Sequence, residues 1–189
     1  MVAPLRRTQR KMAFQLRISL MGVTPTIWRR LLVPGEIKLS RLHSIFQAAM
    51  GWEDYHLHYF EIEGQRYGVP DPEWENDDID EGAVTFSDLV ASRTRFFYEY
   101  DFGDSWRHEV VVESKDPVPL ILKFATCIDG QRACPPEDCG GTHGYRDLLE
   151  AIGDPDHEEH ADLVDWVGRA FDPESFDLAI VNSALQRVR

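Results

Sequence analysis

Cysteine is scarce in this chain: three residues out of 189, all between positions 127 and 139. A disulfide framework needs cysteines distributed over the loops it staples, so that architecture is excluded, while the close grouping leaves a metal site open. No run of 18 apolar residues occurs, which argues against a membrane-spanning helix and against a membrane partner. The opening MVAPLRRTQRKMAFQ is basic but lacks the apolar stretch of a secretory signal, so the expectation is a cytoplasmic protein. Signatures of phosphate handling and nucleophilic catalysis are missing too. There is no Walker loop, no G-x-G-x-x-G, no G-x-S-x-G and no cysteine in a papain-like context, so catalysis is left without support in the sequence.

Acidic residues are absent from the first 35 positions, which carry seven Lys or Arg. The chain as a whole has a net charge of −13, so the remainder stands at −20. A body that negative repels phosphate, because nucleic-acid affinity comes mainly from Lys and Arg displacing counterions. A protein partner is therefore favoured over nucleic acid. Residues 1–11 are read as a basic disordered arm, and DNA association would rest on that arm alone.

Positive signals begin at FQLRISL (14–20), where apolar and polar residues alternate as in a half-buried strand, followed by a second β-like run at 27–33. Ser40 is the expected N-cap of a helix through RLHSIFQAAMG, with Gly51 in the left-handed C-terminal position. YHLHYFEI (55–62) reads as a strand, and EGQRYG as a tight turn into another. The acidic stretch 71–81 reads as an exposed loop that lacks the glycine and bidentate Glu of an EF-hand. TFSDLV is expected to form a short helix. RFFYEY and SWRHEVVVE are two more strands, and residues 127–144 a structured loop. Three helical stretches close the chain, at YRDLLEAIG and at two segments opening with Asp-Pro, a good helix start. The pattern predicts a single α+β domain over residues 12–189: a mixed, mostly antiparallel sheet with packed helices and a helical C-terminal part.

YDFGDSWRH (100–108) contains the Asp-Phe-Gly of protein kinases, but no other kinase element accompanies it. Read as a hairpin with Phe102, Gly103 and Asp104 in the loop, it pairs Tyr100 with Trp106, Glu99 with Arg107, Tyr98 with His108 and Phe96 with Val110. Apolar then meets apolar, and a one-residue slip would bury charge. In this register His108 faces the core, and only Asp101 and Asp104 are free for a ligand.

Two ligand sets stand out. Cys127, Cys134, Cys139 and His143 give C-x6-C-x4-C-x3-H, four donors suited to tetrahedral zinc, balanced by the plain reading of cysteines as small buried residues. His56 and His58, placed two apart on one strand, would share a face about 6.6 Å apart at ~3.3 Å rise per residue, and with Asp101 and Asp104 form an alternative metal or active site at a sheet edge. His43 joins them if its helix crosses that strand. HEEH (157–160) has the wrong spacing for a zincin and reads as a solvated helix start.

Three long blocks, IWRRLLVPGEIKLSRLHSIFQAAMGWEDYHLHYFEI, YDFGDSWRHEVVVE and CIDGQRACPPEDCGGTHGYRDLLEAIGDPDHEEHADLVDWV, resemble the plasmid pRiA4b ORF-3-like family over about residues 12 to 187. The resemblance implies a single α+β domain and brings no catalytic residue with it. Some members carry a resolvase label, which would imply DNA cleavage by a serine or tyrosine nucleophile beside an arginine cluster. This acidic chain, with no separate helix-turn-helix region, gives that label no physical support. The leading expectation is a non-enzymatic binding or interaction module, steadied by zinc at the cysteine set. The rivals are a metal-dependent hydrolase or nuclease using His56, His58, Asp101 and Asp104, and a DNA-associated protein.

Overall fold

The computed structural model describes residues 12–70, 77–90, 94–117 and 122–188. Its frame is an eight-stranded sheet in the order β5-β4-β3-β6-β7-β1-β2-β8, antiparallel except for the parallel pair β4 and β5. The strands are β1 (Met12–Leu20), β2 (Trp28–Pro34), β3 (His58–Ile62), β4 (Gln65–Gly68), β5 (Ile79–Asp80), β6 (Arg95–Tyr100), β7 (Trp106–Pro117) and β8 (Thr126–Gln131). The helices are α1 (Leu39–Met50), α2 (Phe86–Leu89), α3 (Gly141–Gly153), α4 (His160–Val167) and α5 (Leu178–Leu185). The α+β class expected from the pattern is the class observed.

Period-two alternation divides the sheet into two chemically distinct faces. One carries Phe14, Leu16, Ile18, Leu31, Val33, Phe60, Phe96, Tyr98, Trp106, Val110 and Val112, all buried, and α1 lays Leu42, Ile45, Phe46 and Ala49 into the same core. The other is a lattice of ion pairs: Arg30 with Glu113 (2.8 Å), and Arg107 with both Glu99 (3.1 Å) and Glu61 (2.9 Å). The β6–β7 register pairs Tyr100 with Trp106, Glu99 with Arg107, Tyr98 with His108 and Phe96 with Val110, as burial requires. His108 is fully buried.

Several boundaries differ from the sequence reading. Lys38, not Ser40, occupies the N-cap of α1, because a bridge from Lys38 to Thr85 and the Leu39 N–H to Val84 O bond start the helix earlier. β3 begins at His58, so His56 stands off the strand: the Tyr55 N–H goes to the Tyr100 hydroxyl (3.0 Å) instead of extending the ladder. Within the acidic stretch, residues 71–76 lie outside the described residues, Ile79–Asp80 forms β5 and Glu81 is buried. The 127–144 segment contributes the edge strand β8 and the start of α3. Asp154 and Asp172 cap isolated turns, accepting from the N–H of Asp156 and Glu174 (both 3.0 Å), and the helices that follow begin only at His160 and Leu178. The basic arm, residues 1–11, lies outside the described residues. No helix among the described residues is long and apolar enough to cross a membrane.

Candidate metal centre

Three segments meet at the tip of the β6–β7 hairpin: the loop 51–57 after α1, the hairpin turn 101–105, and the loop 134–140 before α3. Asp101 holds the turn in the left-handed region (φ 57°), where Asp is tolerated, and its Oδ1 accepts from the N–H groups of Gly103 (2.9 Å) and Asp104 (3.3 Å). Its own N–H donates to Leu57 O (2.9 Å), which ties the hairpin tip to the loop carrying His56. Asp104 Oδ2 accepts from the Gly140 N–H (3.1 Å), and Gly141 packs so closely on the Asp104 backbone that an added Cβ would stand 2.6 Å from its carbonyl oxygen. Sequence-distant loops are thereby locked to one another by backbone contacts.

At their junction His56 Nε2 faces Asp138 Oδ1 at 3.1 Å, Asp101 Oδ2 at 3.6 Å and Glu137 Oε2 at 4.0 Å. Asp101 is nearly buried and Asp138 exposed, so the cluster opens toward solvent on the Asp138 side. His56 Nε2 itself is buried and makes no hydrogen bond among the described residues. Two ligands ~2.1 Å from one ion lie about 3.0 Å apart at octahedral and 3.4 Å apart at tetrahedral angles. The observed 3.1 Å falls within that range and 3.6 Å lies just beyond it. Glu137 is held beside the group, its Oε1 accepting from the Glu53 N–H (2.8 Å) and the Tyr100 hydroxyl (3.1 Å).

A second cluster lies beneath, within the core. The His43 and His58 rings stack at 3.4 Å with planes 3° apart. His58 Nε2 pairs with Glu81 (2.9 Å), while His43 joins Tyr98 through Nδ1 (2.8 Å) and Asp54 through Nε2 (2.7 Å). Gln47 Nε2 donates to the Tyr98 oxygen (2.8 Å), so the phenol proton goes to His43 Nδ1, and a neutral His43 donates from Nε2 to Asp54. Burial and the neighbouring His58 lower the His43 pKa to about 4, in keeping with that neutral form. Donor atoms of His43, Asp54 and His58 all fall within 4.8 Å of one another. They are nonetheless unsuited to one ion, because an imidazole nitrogen binds a metal along its lone pair, in the ring plane, and two parallel planes 3.4 Å apart share no such point. The pair is a buried brace that fixes Asp54, and hence the loop bearing His56.

The sequence-derived sets are rearranged. Of His56, His58, Asp101 and Asp104, only His56 and Asp101 converge: His58 turns to His43 and Glu81, and Asp104 to the backbone of Gly140. No three of Cys127, Cys134, Cys139 and His143 bring donor atoms within 4.8 Å of one another. The Cys127 thiol donates to Asp129 O (3.3 Å), Cys134 Sγ lies 3.7 Å from Met50 Sδ, and His143 is exposed on α3. Burial raises all three thiols, Cys134 to about 11 and Cys139, with acidic neighbours Asp104, Asp138 and Glu137, to about 12. The groups of three or more donors among the described residues contain no cysteine. Sequence reasoning missed Glu137 and Asp138, whose signal lay in PPED, between the two cysteines that drew attention.

Fold and site define an α+β domain that presents one imidazole and a set of carboxylates at a locked three-loop junction. The chain belongs to the plasmid pRiA4b ORF-3-like protein family, which it matches over residues 12–180. It is 37% identical over 179 residues to the uncharacterized protein y4hQ of Sinorhizobium fredii, covering 90% of this chain and 89% of that one. It is also similar to the crystal structure of a protein of unknown function, MM3350, from Methanosarcina mazei Go1, with a TM-score of 0.83 and 38% identity over 89% of this chain and 97% of the other.

Proposed function

We propose that the protein is a divalent-cation-binding module whose ion is held by His56 Nε2, Asp101 Oδ2 and Asp138 Oδ1. The observation that carries this is the buried His56 Nε2 without a hydrogen bond, facing carboxylate oxygens at ligand-pair separations. One imidazole and two carboxylates suit Zn²⁺ or Mn²⁺ and neutralise a double charge. The ion would bridge the hairpin tip to the 134–140 loop, a binding role that needs no nucleophile. Titration calorimetry with Mn²⁺ and Zn²⁺ tests it. The parent protein binds one equivalent, His56→Ala abolishes binding and Cys134→Ser retains it; the reverse order of the two variants returns the site to the cysteines.

A hydrolytic reading draws on Glu137, whose carboxylate is oriented by Tyr100 and the Glu53 amide beside the three ligands, where it would accept a proton from a metal-bound water. Glu137→Gln separates the two readings. It leaves cation affinity within about threefold in both, and abolishes hydrolysis of an activated ester only in the second.

A further inference from the structure

Two large apolar side chains stand exposed next to the His56 cluster: Tyr55 at 70% and Leu57 at 56%. They flank His56 in the chain, on a loop joined to the hairpin tip by the Asp101 N–H to Leu57 O bond. Isolated exposed apolar residues are ordinary, but a rigidly presented group of them marks a contact surface. Tyr55 also lines a cleft of about 390 Å³ floored by Trp52 and walled by Pro135 and Pro136, with Glu53 and Glu137 at its rim. That volume accommodates an aromatic or branched aliphatic side chain.

Charge decides what fits there. The segments 42–65, 96–106 and 133–145, which build this mouth, contain no Lys or Arg, and seven acidic residues once Glu61 and Glu99 on the other face are set aside. The nearest guanidinium in the hairpin, Arg107, is paired with Glu99 and Glu61 on the opposite face of the sheet. Nucleic acid and anionic lipid are repelled, and a second copy of a chain with net charge −13 would oppose like charge to like. We infer that the mouth of the cation site is a docking surface for a protein segment in which an apolar anchor is flanked by Lys or Arg. This rests on the proposed cation site for its place, not for its driving force: the anchor enters the cleft and its flanks meet Glu53, Asp54, Asp104 and Asp138.

The test is fluorescence anisotropy with the labelled peptide Lys-Arg-Leu-Phe-Leu-Arg-Lys, a version with Glu for every Lys and Arg, and a version with Ser for Leu and Phe, each with and without EDTA. The basic apolar peptide binds, more weakly as salt rises, and the two control peptides bind at least about tenfold less tightly. The Tyr55→Ser, Leu57→Ser double variant weakens it by about tenfold or more, while Mn²⁺ binding measured on the same variant is unchanged. Equal binding of the acidic peptide, unchanged affinity in the double variant, or no binding of the basic peptide below about 1 mM overturns the docking surface. Loss of Mn²⁺ binding in the parent protein, with peptide binding intact, overturns the cation reading alone.

Discussion

Asp101 has two separable jobs, and replacing it by Asn and by Ala tells them apart. Its Oδ1 closes the hairpin turn through two backbone N–H groups, while its Oδ2 faces His56. Asn keeps an acceptor at Oδ1 and tolerates the left-handed backbone at φ 57°, so the turn survives. Only the anionic oxygen toward His56 is replaced. Ala loses both hydrogen bonds, each worth about 1–2 kcal/mol when the acceptor is charged, and adds about 1 kcal/mol of backbone strain. The expected cost of Asp101→Ala is therefore at least about 3 kcal/mol, and that of Asp101→Asn under about 1 kcal/mol. In a chain of this size ~3 kcal/mol lowers the melting temperature by about 6–12 °C, readily seen by calorimetry, and urea titration gives the free energy independently. Cation affinity falls by about a hundredfold or more in both variants, because each lacks a ligand. Equal destabilisation by Asn and Ala would refute the division of labour, as would an Asn variant that holds Mn²⁺ as tightly as the parent.

Acid stability reports on His108, whose ring is fully buried and whose pKa burial lowers to about 4. The unfolded chain takes up this proton first, so the stability is complete above about pH 6.5 and declines by about 3 kcal/mol toward pH 4. His108→Phe keeps stability at pH 7 and flattens this slope in urea titrations at pH 7 and 4.5; a loss above about 2 kcal/mol at pH 7 would show that the nitrogens are needed. Gly144, in the first turn of α3, lets the helix pack against the end of the acidic loop, since a Cβ there would sit 2.0 Å from the Cys139 carbonyl oxygen. Gly144→Ala displaces Asp138 and weakens Mn²⁺ binding, while Gly153→Ala, which meets nothing within 4 Å, leaves it unchanged by calorimetry.

The hairpin register was legible in YDFGDSWRH because burial alone selects it: a one-residue slip sends Glu99 and Asp101 into the core, and no loop geometry offsets that. The two sheet faces and the helical character of α1 follow from local periodicity in the same way. Strand ends were less legible. Whether Tyr55 to Leu57 continue β3 depends on where the Tyr55 N–H finds its acceptor, and that acceptor is a phenol 45 residues away.

Site residues divide along the same line. Residue types announced that ligands were present, since histidines, cysteines and carboxylates crowd three short segments. Which of them converge depended on long-range backbone contacts, the Asp101 N–H to Leu57 O bond and the close approach of Gly141 to Asp104. These contacts turned Asp138 and Glu137 toward His56, while no cysteine joins a group of three donors among the described residues. Periodicity and burial are properties of neighbouring residues and can be read along the chain. Convergence of donors from positions 56, 101 and 138 is a property of packed loops, and it exists only once the sheet has brought them to one edge.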